Sequence, residues 1–133
     1  MKWVFRETAL VVDKQVVNES LRLLSETNDT ERRNTIWDTC CPLSLAAKLA
    51  TGKKYAVNNA SVALYPNVAN IGSAPLPDDV RMFVHGFDAR MDTYLEKRTE
   101  ETRDYVLALA ETPLTFTVPL PYWAGTEEPV LPA

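Results

Sequence analysis

Residues 76–91 read "LPDDVRMFVHGFDARM", and the spacing of their apolar positions sets the fold class. Pro77 suits the first turn of a helix, and Asp78 and Asp79 complement its positive end. Leu76, Val80, Phe83, Val84 and Phe87 then recur at helical spacing and form one apolar stripe. A helix of this kind needs an apolar partner layer, and the flanking sequence supplies strands for it.

Upstream, "KWVFRETALVV" (2–12) reads as a strand, and "YAV" with "ASVALY" (55–65) reads as a hairpin. The Asn58-Asn59 pair between the two runs is suited to the positive φ angles of a tight turn. Downstream, "LTFTVPL" (114–120) alternates apolar residues with threonine and reads as an edge strand, because Pro119 cannot donate to a ladder. Helices fill the intervals. Asp13 is placed to cap one carrying Val17, Leu21 and Leu24, and Asn28 with Glu31 to start another that brings Ile36 and Trp37 inward.

After Pro42, the residues Cys41, Leu45, Ala46 and Leu49 are expected on one buried face of a short helix that Gly52 ends and Lys48 complements. Residues 92–111 are helical in composition, with Leu95, Thr102, Tyr105, Val106 and Leu109 expected inward. "PNVANIGSAPLP" (66–77) reads as a loop. The predicted fold is α+β, a small mixed or antiparallel sheet covered by helices. One domain is expected over 1–121, followed by a Pro-rich extended tail over 122–133.

Composition narrows the function classes. The chain has 133 residues, 46% hydrophobic and 24% charged, as expected of a globular domain with a real core. Fourteen basic and eighteen acidic residues leave a formal charge of −4, and the basic dipeptides Arg32-Arg33 and Lys53-Lys54 are not interleaved with aromatics. Nucleic-acid binding is therefore not expected. No apolar run reaches the ~18 residues of a membrane span, and Arg6 and Glu7 interrupt what would be a signal-peptide core. A cytoplasmic location is the expectation.

Two adjacent cysteines, Cys40 and Cys41, open "CCPLSLAAKLATG", and His85 is the single histidine. That set is too small for a usual zinc site, so no metal is expected. A thiol in the first turn of a helix meets unpaired N–H groups that favour thiolate. Cys41 with His85 as base and Asp38 or Asp88 as orienter would then make a small thiol enzyme. Against this, Cys41 shares a face with apolar side chains, and cysteine is among the most often buried residue types. "ATGKK" lacks both the first glycine and the terminal hydroxyl of a phosphate loop, so no nucleotide cofactor is expected.

The C-terminal "PLPYWAGTEEPVLPA" holds four of the nine prolines with Tyr122 and Trp123. An arm of this composition can dock in a protein partner's groove, and Tyr122 and Trp123 are the candidate partner-binding residues. The competing reading has Trp123 fold back over the sheet edge.

Cys41-Pro42, Leu76-Pro77, Phe83, Phe87-Asp88 and Phe116, spread over about residues 40–119, resemble the motifs of small uncharacterised bacteriophage and bacterial proteins. The helical stretch 92–111 has no counterpart in that pattern. The resemblance implies a phage-type accessory protein with no assigned activity, found in host cytoplasm or virion. The leading expectation is a non-enzymatic interaction protein with a protein partner, either an inhibitor of a host system or a virion component. A thiol enzyme using Cys41 and His85, and a binder of a small molecule or nucleotide signal, are the alternatives. Homo-oligomerisation is left open.

Overall fold

A computed structural model describes residues 3–66 and 71–125. In chain order the elements are β1 (Trp3–Val12), α1 (Lys14–Glu26), α2 (Thr30–Cys40), α3 (Pro42–Thr51), β2 (Tyr55–Val57), β3 (Ser61–Leu64), β4 (Ser73–Pro75), α4 (Asp78–Lys97), α5 (Glu100–Leu107), a 3₁₀ turn (Ala108–Ala110) and β5 (Leu114–Trp123). The fold is α+β, with helices packed on two small antiparallel sheets. One sheet is a ribbon of β1 and β5, and the other is the meander β2-β3-β4.

The ribbon brings together segments from the two ends of the described chain, in a register running from Trp3 opposite Trp123 to Val12 opposite Leu114. Directly opposed residues share a face, and side chains alternate along each strand. The even-numbered side therefore carries Leu10 against Phe116 and Val12 against Leu114, and it closes on the core. Towards the other end of the ribbon the burial of β1 fails: Val4, Phe5, Arg6, Glu7 and Ala9 are all exposed, while Val118, Leu120 and Pro121 on β5 are buried.

Pro119 and Pro121 are accommodated because of which way their backbone faces. Pro119 and Pro121 share one parity and carry no N–H, so they take the positions of the ribbon that form no ladder bond, which leaves the Pro121 carbonyl to accept from the Tyr55 hydroxyl at 3.2 Å. In an antiparallel strand a residue's N–H and C=O point to the same side, so the missing N–H of Pro121, and of Pro119 two residues earlier, costs no ladder bond.

Helix termini follow side-chain chemistry. Asp13 Oδ1 accepts from Val16 N at 2.9 Å and starts α1, as expected. α2 starts one residue later than expected. Asp29, not Asn28, is the cap, because its carboxylate reaches the amides of Glu31 and Arg32. Gly52 ends α3 at φ 77°, a left-handed conformation that a side chain would strain. α4 is one continuous helix of 20 residues, Asp78–Lys97, capped by Arg98, so the apolar stripe of 76–91 and the start of the helical stretch 92–111 belong to one element. Thr99 and Thr102 then bond each other's backbone amide in a capping box that opens α5.

The meander differs from expectation in two respects. Asn58 and Asn59 do not take positive φ. Three residues link β2 to β3, and Asn58 Oδ1 holds the turn by accepting from the amides of Ala60 (2.8 Å) and Ser61 (2.7 Å). Within the predicted loop, Ser73–Pro75 adds the third strand, pairing Ala74 with Val62.

The core joins Leu10, Leu24, Leu43, Tyr55, Phe87 and Met91, each at most 1% exposed. Each of these large apolar side chains contributes about 1.5–3 kcal/mol by burial. The α4 stripe (Leu76, Val80, Phe83, Val84, Phe87) is buried throughout, with Phe83 against Phe116 at 5.1 Å between ring centroids. Tyr105, expected inward, is 53% exposed and instead lies under the Arg90 guanidinium, 4.0 Å from the ring centroid. Tyr122 and Trp123 complete β5. Residues 126–133, with the rest of the expected tail, and 67–70 lie outside the described residues.

Candidate functional site

Cys41 is the cap residue of α3, at φ −70° and ψ 161°, and its side chain makes no cap bond. It is 1% exposed. The sulfur lies 3.7 Å from the Val57 carbonyl oxygen and 3.9 Å from that of Asp38. Burial pushes the thiol up to about 12; the backbone bonds of Ser44 and Leu43 pull the other way, and the negative Asp88 and Asp38 add to the rise. The helix-start amides that would favour a thiolate are therefore present and outweighed. Cys40, half-buried, is also pushed up, chiefly by burial.

The expected triad partners lie elsewhere or act with the wrong sign. His85 is exposed on α4, and among the described residues no imidazole bonds either sulfur. Asp88 is held by Trp37, whose indole N–H donates to Oδ1 at 2.8 Å, and Trp37 also meets Phe87 edge-on. Burial raises the Asp88 carboxyl, the Trp37 bond lowers it, the charges of Asp92 and Asp38 raise it further, and that of His85 lowers it. Asp38 is raised by burial alone. This arrangement ties α2 to α4 and keeps negative charge beside the sulfur, the opposite of what a nucleophile needs. Among the described residues no three His, Cys, Asp or Glu side chains gather to hold a metal ion.

Exposed large apolar side chains include Leu49 of α3, Met82 of α4 and, on β1, Val4, Phe5 and Val11. Leu49, expected on the buried face with Cys41, is 78% exposed, and Leu45 is half-buried. The reason is geometric. Each step of four residues overshoots a turn of 3.6 by about 40°, so the line Cys41–Leu45–Leu49 drifts off the core face. That face is centred on Leu43 and Ala47, both 0% exposed. Leu45 and Leu49 of α3 and Val16 of α1 line a groove of about 620 Å³ between the two helices, with Asp13, Glu19 and Lys48 on its rim.

The ribbon offers another such surface. Phe5 stands opposite Pro121, which as a proline takes a position without a ladder bond. The pair is therefore not hydrogen-bonded to each other, and the N–H and C=O of Phe5 point to the outer edge of β1. Glu7 and Ala9, at the same parity, point the same way. No described strand pairs with that edge. At one end of it Trp3 meets Trp123 edge-on, ring centroids 5.5 Å apart, and the Arg6 guanidinium lies 5.3 Å from the centre of the Tyr122 ring. Both candidate partner-binding residues, Tyr122 and Trp123, are half-buried here.

Sequence reasoning missed the groove and the edge. For the groove the available clue was the three-residue offset of Leu43 and Ala46, which centres the face differently; for the edge it was the charged pair Arg6-Glu7 in mid-strand. Among the described residues no helix is long and apolar enough to cross a membrane. Comparison with protein-family models, curated proteins and solved structures gives no match for this chain.

Proposed function

We propose that the chain is a non-enzymatic protein-interaction module that takes up an extended segment of a partner protein along the outer edge of β1. One observation carries this reading: a ten-residue strand with the backbone groups of Phe5, Glu7 and Ala9 facing outward and no described strand beside them. An extended peptide satisfies such an edge by strand addition, with main-chain bonds supplying affinity and alternate side chains supplying selectivity. Val4 and Phe5, 37% and 40% exposed, offer apolar contact, and Arg6 and Glu7 offer paired charges to the incoming strand. Tyr122 and Trp123 border the same end and extend the contact.

The buried thiol and the exposed imidazole, which bonds neither sulfur, support a role without covalent chemistry. Together with the Cys-Pro and Leu-Pro motifs that resemble phage proteins, they favour an accessory protein that occupies a component of a bacterial host from the cytoplasm. Inhibition of a host system and a place in the virion are the two uses such a surface would serve.

Glu7→Pro tests it, because this change removes an outward N–H while leaving the inward ladder intact. Recovery of a defined partner from bacterial lysate should fall about tenfold or more, with the melting temperature nearly unchanged. In the wild type the amides of Phe5, Glu7 and Ala9 should gain exchange protection when that partner is added. Undiminished recovery by Glu7→Pro would exclude the edge as the binding surface.

A further inference from the structure

The groove between α1 and α3 is a separate surface from the β1 edge, and from it we infer that this chain self-associates. The occupant is a second copy of the chain, related by a two-fold axis running along the groove. The inference goes beyond the strand-addition reading and does not depend on it.

The division of charge across the groove selects this occupant. The α1 rim is acidic, through Asp13 and Glu19, and the α3 rim carries Lys48. Lys48 forms no ion pair with any described residue of its own chain. A two-fold axis along the groove sets the α1 rim of one copy against the α3 rim of the other, twice over. Lys48 then faces the partner's carboxylates on both sides of the axis. Glu19 already takes a two-pronged bond from Arg22 in its own helix, and its exposed oxygens keep further lone pairs with which to accept from Lys48 of the second copy.

The apolar centre obeys the same symmetry. Leu49, which extends into solvent in the single chain, reaches the Val16 and Leu45 floor of the facing groove, and the reciprocal Leu49 does the same. Apolar centre and charged rim reproduce the ordinary anatomy of a protein interface. Eight lining residues a side is small beside the ~20–30 of a standard interface. The dimer is accordingly weak and concentration-dependent.

Sedimentation equilibrium of the full chain over a concentration series tests this. The wild type should show a monomer–dimer equilibrium, and Leu49→Glu should weaken it by about tenfold or more. Leu49 is exposed, so matched thermal melts confirm that the variant folds. Lys48→Glu and Glu19→Lys should each weaken self-association alone, and an equimolar mixture of the two should restore it, because the mixed dimer regains opposite charges across the contact. A wild type that stays monomeric throughout, or a Leu49→Glu dimer of undiminished strength, overturns the inference. So does loss of dimer in Phe5→Lys with retention in Leu49→Glu, which would place self-association on the β1 edge and leave strand addition standing.

Discussion

Trp37 and Asp88 lie 51 residues apart in sequence and are joined by an indole N–H donating to a carboxylate oxygen at 2.8 Å. The bond spans α2 and α4 and has a structural use: α2 buries no residue fully and depends on half-buried contacts such as this one to hold its place. Removing the acceptor strands a partly buried donor. Asp88→Ala should therefore cost about 1–3 kcal/mol, and Asp88→Asn, which keeps an oxygen, clearly less. Urea unfolding of the two variants measures the difference.

Asp38 should make stability pH-dependent in an identifiable direction. Its carboxyl is raised above the ordinary 3.8 by burial, so the folded state holds the proton more tightly than the unfolded chain does. The stability linked to this proton is fully present below the unfolded value and is lost as pH rises through the folded one. Asp38→Asn should then raise the melting temperature at neutral pH, and the gain should shrink towards zero as the solution is acidified below the ordinary aspartate range.

Cys41 should behave as core. With its thiol pushed up to about 12 by burial, iodoacetamide should label it only on unfolding, while half-buried Cys40 should react first and slowly. The same shift predicts alkaline destabilisation, because stability present below the unfolded value of 9.0 is lost as pH rises through about 12. Cys41→Ala should flatten that alkaline limb, as differential scanning calorimetry would record.

Adjacent positions on β1 should respond differently to proline. Thr8 faces β5 with its backbone groups, opposite Val118, and Glu7 faces outward. Thr8→Pro should cost about 1–3 kcal/mol through a lost ladder bond, and Glu7→Pro should cost less than ~1. Chemical denaturation that finds Glu7→Pro as costly as Thr8→Pro, or costlier, would contradict this assignment of inner and outer edges.

Along α3 the contrast lies in the packing. Leu43→Ala, at a site 0% exposed, should cost about 2–5 kcal/mol, and Leu49→Ala should stay within about 0.5 in the monomer. Guanidinium titration at low protein concentration separates the two.

Elements whose chemistry is local were legible in the amino-acid order alone. The α4 stripe, the Asp13 cap, the Gly52 stop and the apolar run of β1 each depend on neighbours within a turn or a strand's pleat, and each formed where its residues put it. The fold class was legible for the same reason, since alternating helices and strands must form packed layers. Which strand meets which was not. A strand's pattern marks its inner face but not its partner, so the union of β1 with β5, and hence an outer edge with which no described strand pairs, came from the long-range register. The same holds for α3. A stripe at four-residue spacing is apolar wherever it points, and the position of the core turned Leu43 and Ala47 inward and left Leu49 in solvent. The depth of burial that silences Cys41 was likewise settled by the layers around it, because desolvation depends on everything packed near the sulfur and not on the residues beside it in the chain.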